Sequence, residues 1–209
     1  MRQRLAISLF LAALLLLPAA LQAQEPAANL KALSQELKDT DVIRVSFQQT
    51  RHIEALSRPL DSEGRLLLAR EEGIAWIIDK PYPVFMVLTE DSITEWEKGA
   101  ARKTTSLSTR PHLAALAGIL RSVMTADMNA LEKEFHVETS AEEHAWKMAL
   151  QPKDDMLASA LASISVRGRT HVEEVAIAET GGDKTEIRFG AYETEPPHLT
   201  DEEKSYFAE

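Results

Sequence analysis

The chain has 209 residues, with 23 Lys and Arg against 33 Asp and Glu, a formal charge of −10 and no cysteine. A surface this acidic argues against binding nucleic acid or anionic membranes, both of which need basic patches. Without cysteine there is neither a disulfide nor an N-terminal cysteine to acylate, so a hydrophobic core must hold the fold unaided.

In chain order, Arg2 and Arg4 precede an apolar run from Leu5 to Leu17, broken by Pro18 and followed by Ala20-Leu21-Gln22-Ala23. The run is shorter than the ~20 residues of a bilayer span and carries the flanks of a secretory signal. Residues 1–23 are therefore expected to be a cleaved leader, and residues 24–209 a single exported domain. Losing Arg2 and Arg4 with the leader takes the formal charge from −10 to −12. Next, Leu30, Leu33 and Leu37 recur at helical spacing and predict a helix from Pro26 to Asp39.

At Ile43 the period changes to two. Ile43, Val45 and Phe47 share one face, and Arg44, Ser46 and Gln48 the other, as in a half-buried strand. Strand-like segments come next at Leu60–Arg70, Ile74–Asp79, Val84–Thr89 and Ser92–Trp96. Local turns separate them at Glu71-Glu72-Gly73, Lys80-Pro81-Tyr82-Pro83 and Glu90-Asp91. Short strands joined by local turns predict an antiparallel meander and not βαβ units.

From Pro111 to Met124 the spacing is helical again, with Leu113, Leu116, Leu120 and Val123 along one side. Ala114, Ala115, Ala117 and Gly118 make this helix unusually apolar for a surface element. A second short helix is predicted at Asp127–Glu134 with Asp127 as its N-cap. Strands resume at Phe135–Thr139, Ala145–Leu150, Ile164–Arg167, Val172–Ala178 and Glu186–Ala191, the last two joined by a Gly181-Gly182-Asp183 turn. Thr200-Asp201-Glu202-Glu203 has the form of a capping box and should start a C-terminal helix. The pattern is helix, meander, helices, meander, helix: a mainly β, α+β chain whose sheet has one long face for apolar helices to cover.

Catalytic signatures are missing from the sequence. The six histidines have no H-x-H or H-x-x-x-H spacing, and no cysteine can complete a zinc site. Neither a nucleophile elbow nor a phosphate-binding glycine loop occurs. The paired carboxylates Glu71-Glu72, Glu142-Glu143, Glu173-Glu174 and Glu202-Glu203 are adjacent in sequence and sit mostly in turns, so they read as solvated surface. No enzyme, cofactor or metal is expected.

Several segments together resemble the outer-membrane lipoprotein carrier (LolA) family over nearly all of the chain after residue 23. Val45-Ser46-Phe47-Gln48-Gln49 is similar to the family's S-F-x-Q strand. Gly64-Arg65-Leu66-Leu67-Leu68-Ala69-Arg70, with Trp76 following, resembles its G-x-(apolar)-R-P-x-x-(apolar)-x-W segment, and Pro81 matches the proline that comes next. Thr89-Glu90-Asp91 with Trp96 resembles the S-D-G-x-x-x-W turn, and Leu150-Gln151-Pro152-Lys153 an L-x-P-K element. Glu71 stands where the family has proline, Ser92 where it has glycine, and Pro196–Glu209 does not match the family's ending.

The resemblance implies a twisted antiparallel half-barrel closed by a helical lid. Its hollow would be lined by Leu33, Leu37, Phe47, Leu66, Leu68, Ile74, Trp76, Phe85, Leu116 and Leu120, with Arg70 hydrogen-bonding the lid as a latch. It also implies a monomeric periplasmic carrier that takes an acylated lipoprotein, or other lipidated cargo, from an inner-membrane exporter to an outer-membrane acceptor. The alternative is a lipid- or peptide-sensing module of the same fold.

Overall fold

The computed structural model describes residues 40–208 other than Arg110, Ala126, Glu143 and His144, with residues 111–116 and Glu142 described by backbone alone. The expected leader, and the expected helix carrying Leu33 and Leu37, lie outside the described residues.

Eleven strands form one sheet: β1 (Val42–His52), β2 (Leu60–Ala69), β3 (Gly73–Lys80), β4 (Val84–Leu88), β5 (Ser92–Glu97), β6 (Lys103–Ser106), β7 (Phe135–Glu142), β8 (Ala145–Pro152), β9 (Leu161–Gly168), β10 (Val172–Glu179) and β11 (Lys184–Phe189). Among the described residues four α-helices accompany them: α1 (Pro111–Met124), α2 (Met128–Glu134), α3 (Asp155–Ala158) and α4 (Asp201–Phe207). The spatial order is β6-β5-β4-β3-β2-β1-β11-β10-β9-β8-β7, and every pairing is antiparallel. This is an open α+β half-barrel built from two meanders. One runs outward from the centre to β6; the other starts at the opposite edge with β7 and returns to the centre. There Phe47 of β1 sits opposite Phe189 of β11.

That connectivity explains the helices. The chain leaves one edge at β6 and must enter the other at β7, so α1 and α2 span one face of the sheet. Ala117, Ile119, Val123 and Met124 of α1 and Leu131 of α2 join a core with Ile43, Val45, Phe47, Leu66, Leu68, Ile74 and Trp76. Asp127 caps α2 by accepting a hydrogen bond from the Ala130 amide, and the Phe135 amide closes the helix on the Leu131 carbonyl as β7 begins.

Strands β2 and β3 are apolar in both parities, and the consequence is a second buried face. Val42, Leu67, Ala69, Ala75, Ile77 and Val87 point away from α1 and pack under Leu199. Two glycines permit the close strand approach. A Cβ on Gly64 would lie 1.9 Å from the Ile77 carbonyl oxygen, beside a register shift between Glu63 and Gly64. Gly73 has φ +131° and would drive a Cβ to within 2.1 Å of the Leu88 oxygen.

Two elements escaped the sequence reading. β6 is Lys-Thr-Thr-Ser and shows no apolar alternation; it forms by backbone pairing with β5, reinforced by a 3.0 Å hydrogen bond between the Thr94 and Thr104 hydroxyls. α3 is a single turn held by Asp154, whose carboxylate accepts from the Met156 and Leu157 amides.

Candidate functional site

The helix-covered face is packed unevenly. Under β7–β10 the side chains Trp146, Met148, Leu150, Val166, Val172 and Phe135 are sealed, each at 1% exposure or less. Trp146 also donates from Nε1 to the Arg169 carbonyl at 2.9 Å. Under β3–β6 the packing is looser. A cavity of about 350 Å³ lies between Ile74, Trp76, Met86, Leu88 and Ile93 of the sheet and Ala117 and Leu120 of α1, with Thr105 and Glu95 at its margin.

Local sequence accounts for the gap. Ile74 and Trp76 stand opposite Leu88 and Met86, and Leu88 stands opposite Ile93, so one parity runs unbroken across three strands and lines one wall. Facing that wall, α1 presents Ala117, whose methyl is too small to reach across, with Leu120 beside it. Trp76 forms the inner end, at 8% exposure, with its ring 4.3 Å from Phe47 and 6.4 Å from Phe189. Aromatic pairs at these distances contribute about 0.5–1.5 kcal/mol beyond their buried area and hold that wall rigid.

A second recess, of about 600 Å³, adjoins the first through Ile74 and is more polar. Leu68, Ala69, Arg70 and Gly73 bound it on the sheet side, and Gly118, Arg121, Ser122, Thr125, Asp127 and Ala130 on the helix side. The Ser122 hydroxyl donates to the Gly118 carbonyl at 2.8 Å and that of Thr125 to the Arg121 carbonyl at 2.9 Å, so both hydroxyl protons are turned back onto the helix.

The expected site residues fall into three groups. Phe47, Leu66, Leu68, Ile74 and Trp76 are buried in the helix-covered core, with Leu120 packed against it. Leu33 and Leu37 lie outside the described residues, and Leu116 is described by its backbone only. Phe85 needs correction, because it lies on the other face. There it stacks on Trp96 with ring centroids 5.0 Å apart and meets Tyr206 at 6.0 Å. The cause is phase: the Lys80–Pro83 loop interrupts the alternation, and pairing of Trp76 with Met86 turns Phe85 outward beside Ile77.

Arg70 faces α1 across the polar recess. Its side chain pairs with Asp41 at 3.2 Å, and among the described residues it makes no hydrogen bond to an α1 carbonyl. The sequence reading missed Met86, Leu88, Ile93, Glu95, Thr105 and Ala117 as lining. Parity carried from Leu88 through the two-residue Glu90-Asp91 turn would have found Ile93.

These features describe an antiparallel sheet whose helical cover leaves part of one apolar face unfilled. The match to a known family is equally direct, since residues 22–190 fit the profile described as outer membrane lipoprotein carrier protein LolA-like. The chain belongs to that family. No curated protein sequence matches this LolA-like chain at a significant level.

Among solved structures it is similar to a LolA superfamily protein from Nitrosomonas europaea, with 10% identity, 86% of this chain and 97% of that chain covered, and a TM-score of 0.45. The lipoprotein LppX of Mycobacterium tuberculosis aligns at 12% identity over 83% of this chain and 99% of that one, with a TM-score of 0.44. The Pseudomonas aeruginosa MucA/MucB complex aligns at 11% identity over 85% of this chain and 59% of that one, with a TM-score of 0.44.

The LolA-like profile ends at Gly190, and the chain beyond it is structured. Tyr192 still packs against the helix-covered core and Glu193 bridges to Arg44; the residues that follow cross the face opposite α1 to α4. Arg44 anchors them, donating to the Pro196 and His198 carbonyls at 2.9 and 3.1 Å and to both carboxylate oxygens of Glu203 at 2.5 and 2.8 Å. Glu203 also accepts from the Thr200 amide, completing the expected capping box. The Arg44 guanidinium, with those Thr200 donors, holds the Glu203 carboxyl down at about 2.

Proposed function

We propose that this chain is a periplasmic carrier that shelters the acyl chains of a lipidated cargo, a lipoprotein or another acylated lipid, between its sheet and α1. The observation that carries this reading is the 350 Å³ apolar hollow that the described side chains leave open. Membership of a family described as lipoprotein carriers supports it, as does the basic and apolar leader with its small-residue cleavage signal. The cargo would pass from an inner-membrane exporter to an outer-membrane acceptor.

The energetics make a carrier necessary. Each methylene is worth ~0.8 kcal/mol of transfer from water, so a chain of about 16 carbons forfeits roughly 12 kcal/mol on entering an aqueous compartment. A hollow lined by indole, branched aliphatics and methionine replaces the lost hydrocarbon contacts without asking for polar groups. Cargo longer than the hollow needs α1 to move. The looser packing on the β3–β6 side, with Ala117 facing the wall, makes α1 easier to shift than the sealed β7–β10 half. Nothing in this scheme asks for bond-making, and the role is binding and release.

Gentle purification from the native envelope followed by mass spectrometry tests the proposal. Copurified acyl lipid, displaced by a fluorescent fatty-acid probe, is the expected result. Protein that arrives empty and binds no acyl probe overturns it, and a protein partner that binds equally with and without lipid points to a sensing module.

A further inference from the structure

Resting on that reading of the hollow, we infer that its ligand class is an acyl amphiphile with an anionic head, the chain lying along Trp76 and the head held by Arg70 and Arg121. Four observations converge on this assignment. The first is the lining. The hollow is walled by Ile74, Trp76, Met86, Leu88, Ile93, Ala117 and Leu120, which suit an acyl chain and offer nothing to a polar head.

The second is direction. Ile74 lines both the apolar cavity and the polar recess, so a chain seated against Trp76 and running past Ile74 brings its head beside Arg70 and Arg121.

The third is the supply of donors. The Ser122 and Thr125 hydroxyl protons are committed to helix carbonyls, which leaves the two guanidinium groups as the recess's side-chain donors. Arg121 is half-buried and has no ion pair among the described residues. A guanidinium in that setting gains most from an anion, through paired charge-assisted hydrogen bonds.

The fourth concerns competing carboxylates. Asp127 has one carboxylate oxygen on the Ala130 amide. Asp41 pairs with Arg70 at 3.2 Å but is 70% exposed against 45% for the arginine. An ion pair so open to water holds its partner weakly, so an incoming carboxylate or phosphate can take Asp41's place.

The test uses the full chain and three twelve-carbon probes below their micelle concentrations: dodecanoate, dodecyl phosphate and neutral dodecanoyl glycerol, each titrated by calorimetry. Both anions should bind at least about tenfold tighter than the neutral probe, the worth of one charge-assisted hydrogen bond. Comparing dodecanoate with dodecyl phosphate tells which head the recess prefers.

Arg70→Gln and Arg121→Gln should each bring the ratio toward one while dodecanoyl glycerol binds as before, and Arg169→Gln, on the β9–β10 turn, should leave it unchanged. Should a glutamine variant fold poorly, added salt on the unaltered protein must shrink the same ratio. Equal affinity for the three probes overturns the anionic assignment and leaves the hollow intact. Failure of every probe to bind overturns the carrier reading beneath it.

Discussion

The two faces of this sheet are covered in opposite ways. On one, α1 lies over large side chains and presents a small one of its own at Ala117, so volume remains. On the other, the segment after Gly190 brings the large groups: Leu199 over Val42, Leu67, Ala69, Ala75, Ile77 and Val87, with Tyr206 and Phe207 packed at its margin beside Phe85 and Trp96. Arg102 lies over the Trp96 ring at 4.3 Å and donates to the Ser205 carbonyl at 2.7 Å and to that of Ala208, fastening the end of α4. The helical cover meets the hollow with a small residue, and the C-terminal cover is fastened by aromatics and ion pairs. The family profile spans only the first of them.

The contrast is broken most severely by removing residues 191–209. Loss of Leu199, Tyr206 and Phe207 from their sites should destabilise the fold by ~3–6 kcal/mol, at about 1.5–3 kcal/mol for a fully buried side chain and less for the two at the margin. An unchanged urea midpoint for the truncated protein would show that the tail-covered face needs no cover. Arg44→Ala comes next, at about 1–3 kcal/mol in urea unfolding, because it strands the Glu203 carboxylate and two carbonyls together.

On the helix-covered face the same kind of change should move binding and not stability. Ala117→Phe places a ring in existing space, so the unfolding free energy should stay within about 1 kcal/mol while acyl-probe affinity falls about tenfold. A variant that keeps full affinity would mean that the hollow is not the binding site.

The Glu203 carboxyl gives the difference a pH signature. Its value in the fold is depressed from 4.5 to about 2, so its contribution is complete above pH 4.5 and is lost as the pH falls toward 2. Trp96 fluorescence should report loosening of the tail across that window, and Glu203→Gln should remove the pH-dependent part. Smallest of all, Gly118→Ala should stabilise α1 by about 0.5–1 kcal/mol, since its Cβ meets open space. A loss of stability on calorimetry would place something in that gap.

Much of the fold was legible before any coordinates. The switch to period two at Ile43, the turns at Glu71-Glu72-Gly73 and Glu90-Asp91, the Asp127 cap and the Thr200 capping box all stand where local chemistry put them. Each of these signals is carried by residues a few positions apart. β6 was hidden because its side chains bury little, and strand formation there depends on a partner already in place.

Residue order alone determined which side chains share a face along each strand, because alternation is a property of extended backbone. Only the tertiary structure decided how those phases join across loops. The register of β3 on β4 sent Phe85 to the tail-covered face, the same register aligned Ile74, Trp76, Met86 and Leu88 along one wall, and the reach of Arg44 to Glu203 chose where the C-terminal segment lies. The hollow is likewise a tertiary quantity. It is the difference between the room that strands and α1 enclose and the volume of side chains directed into it, and no single segment holds both numbers.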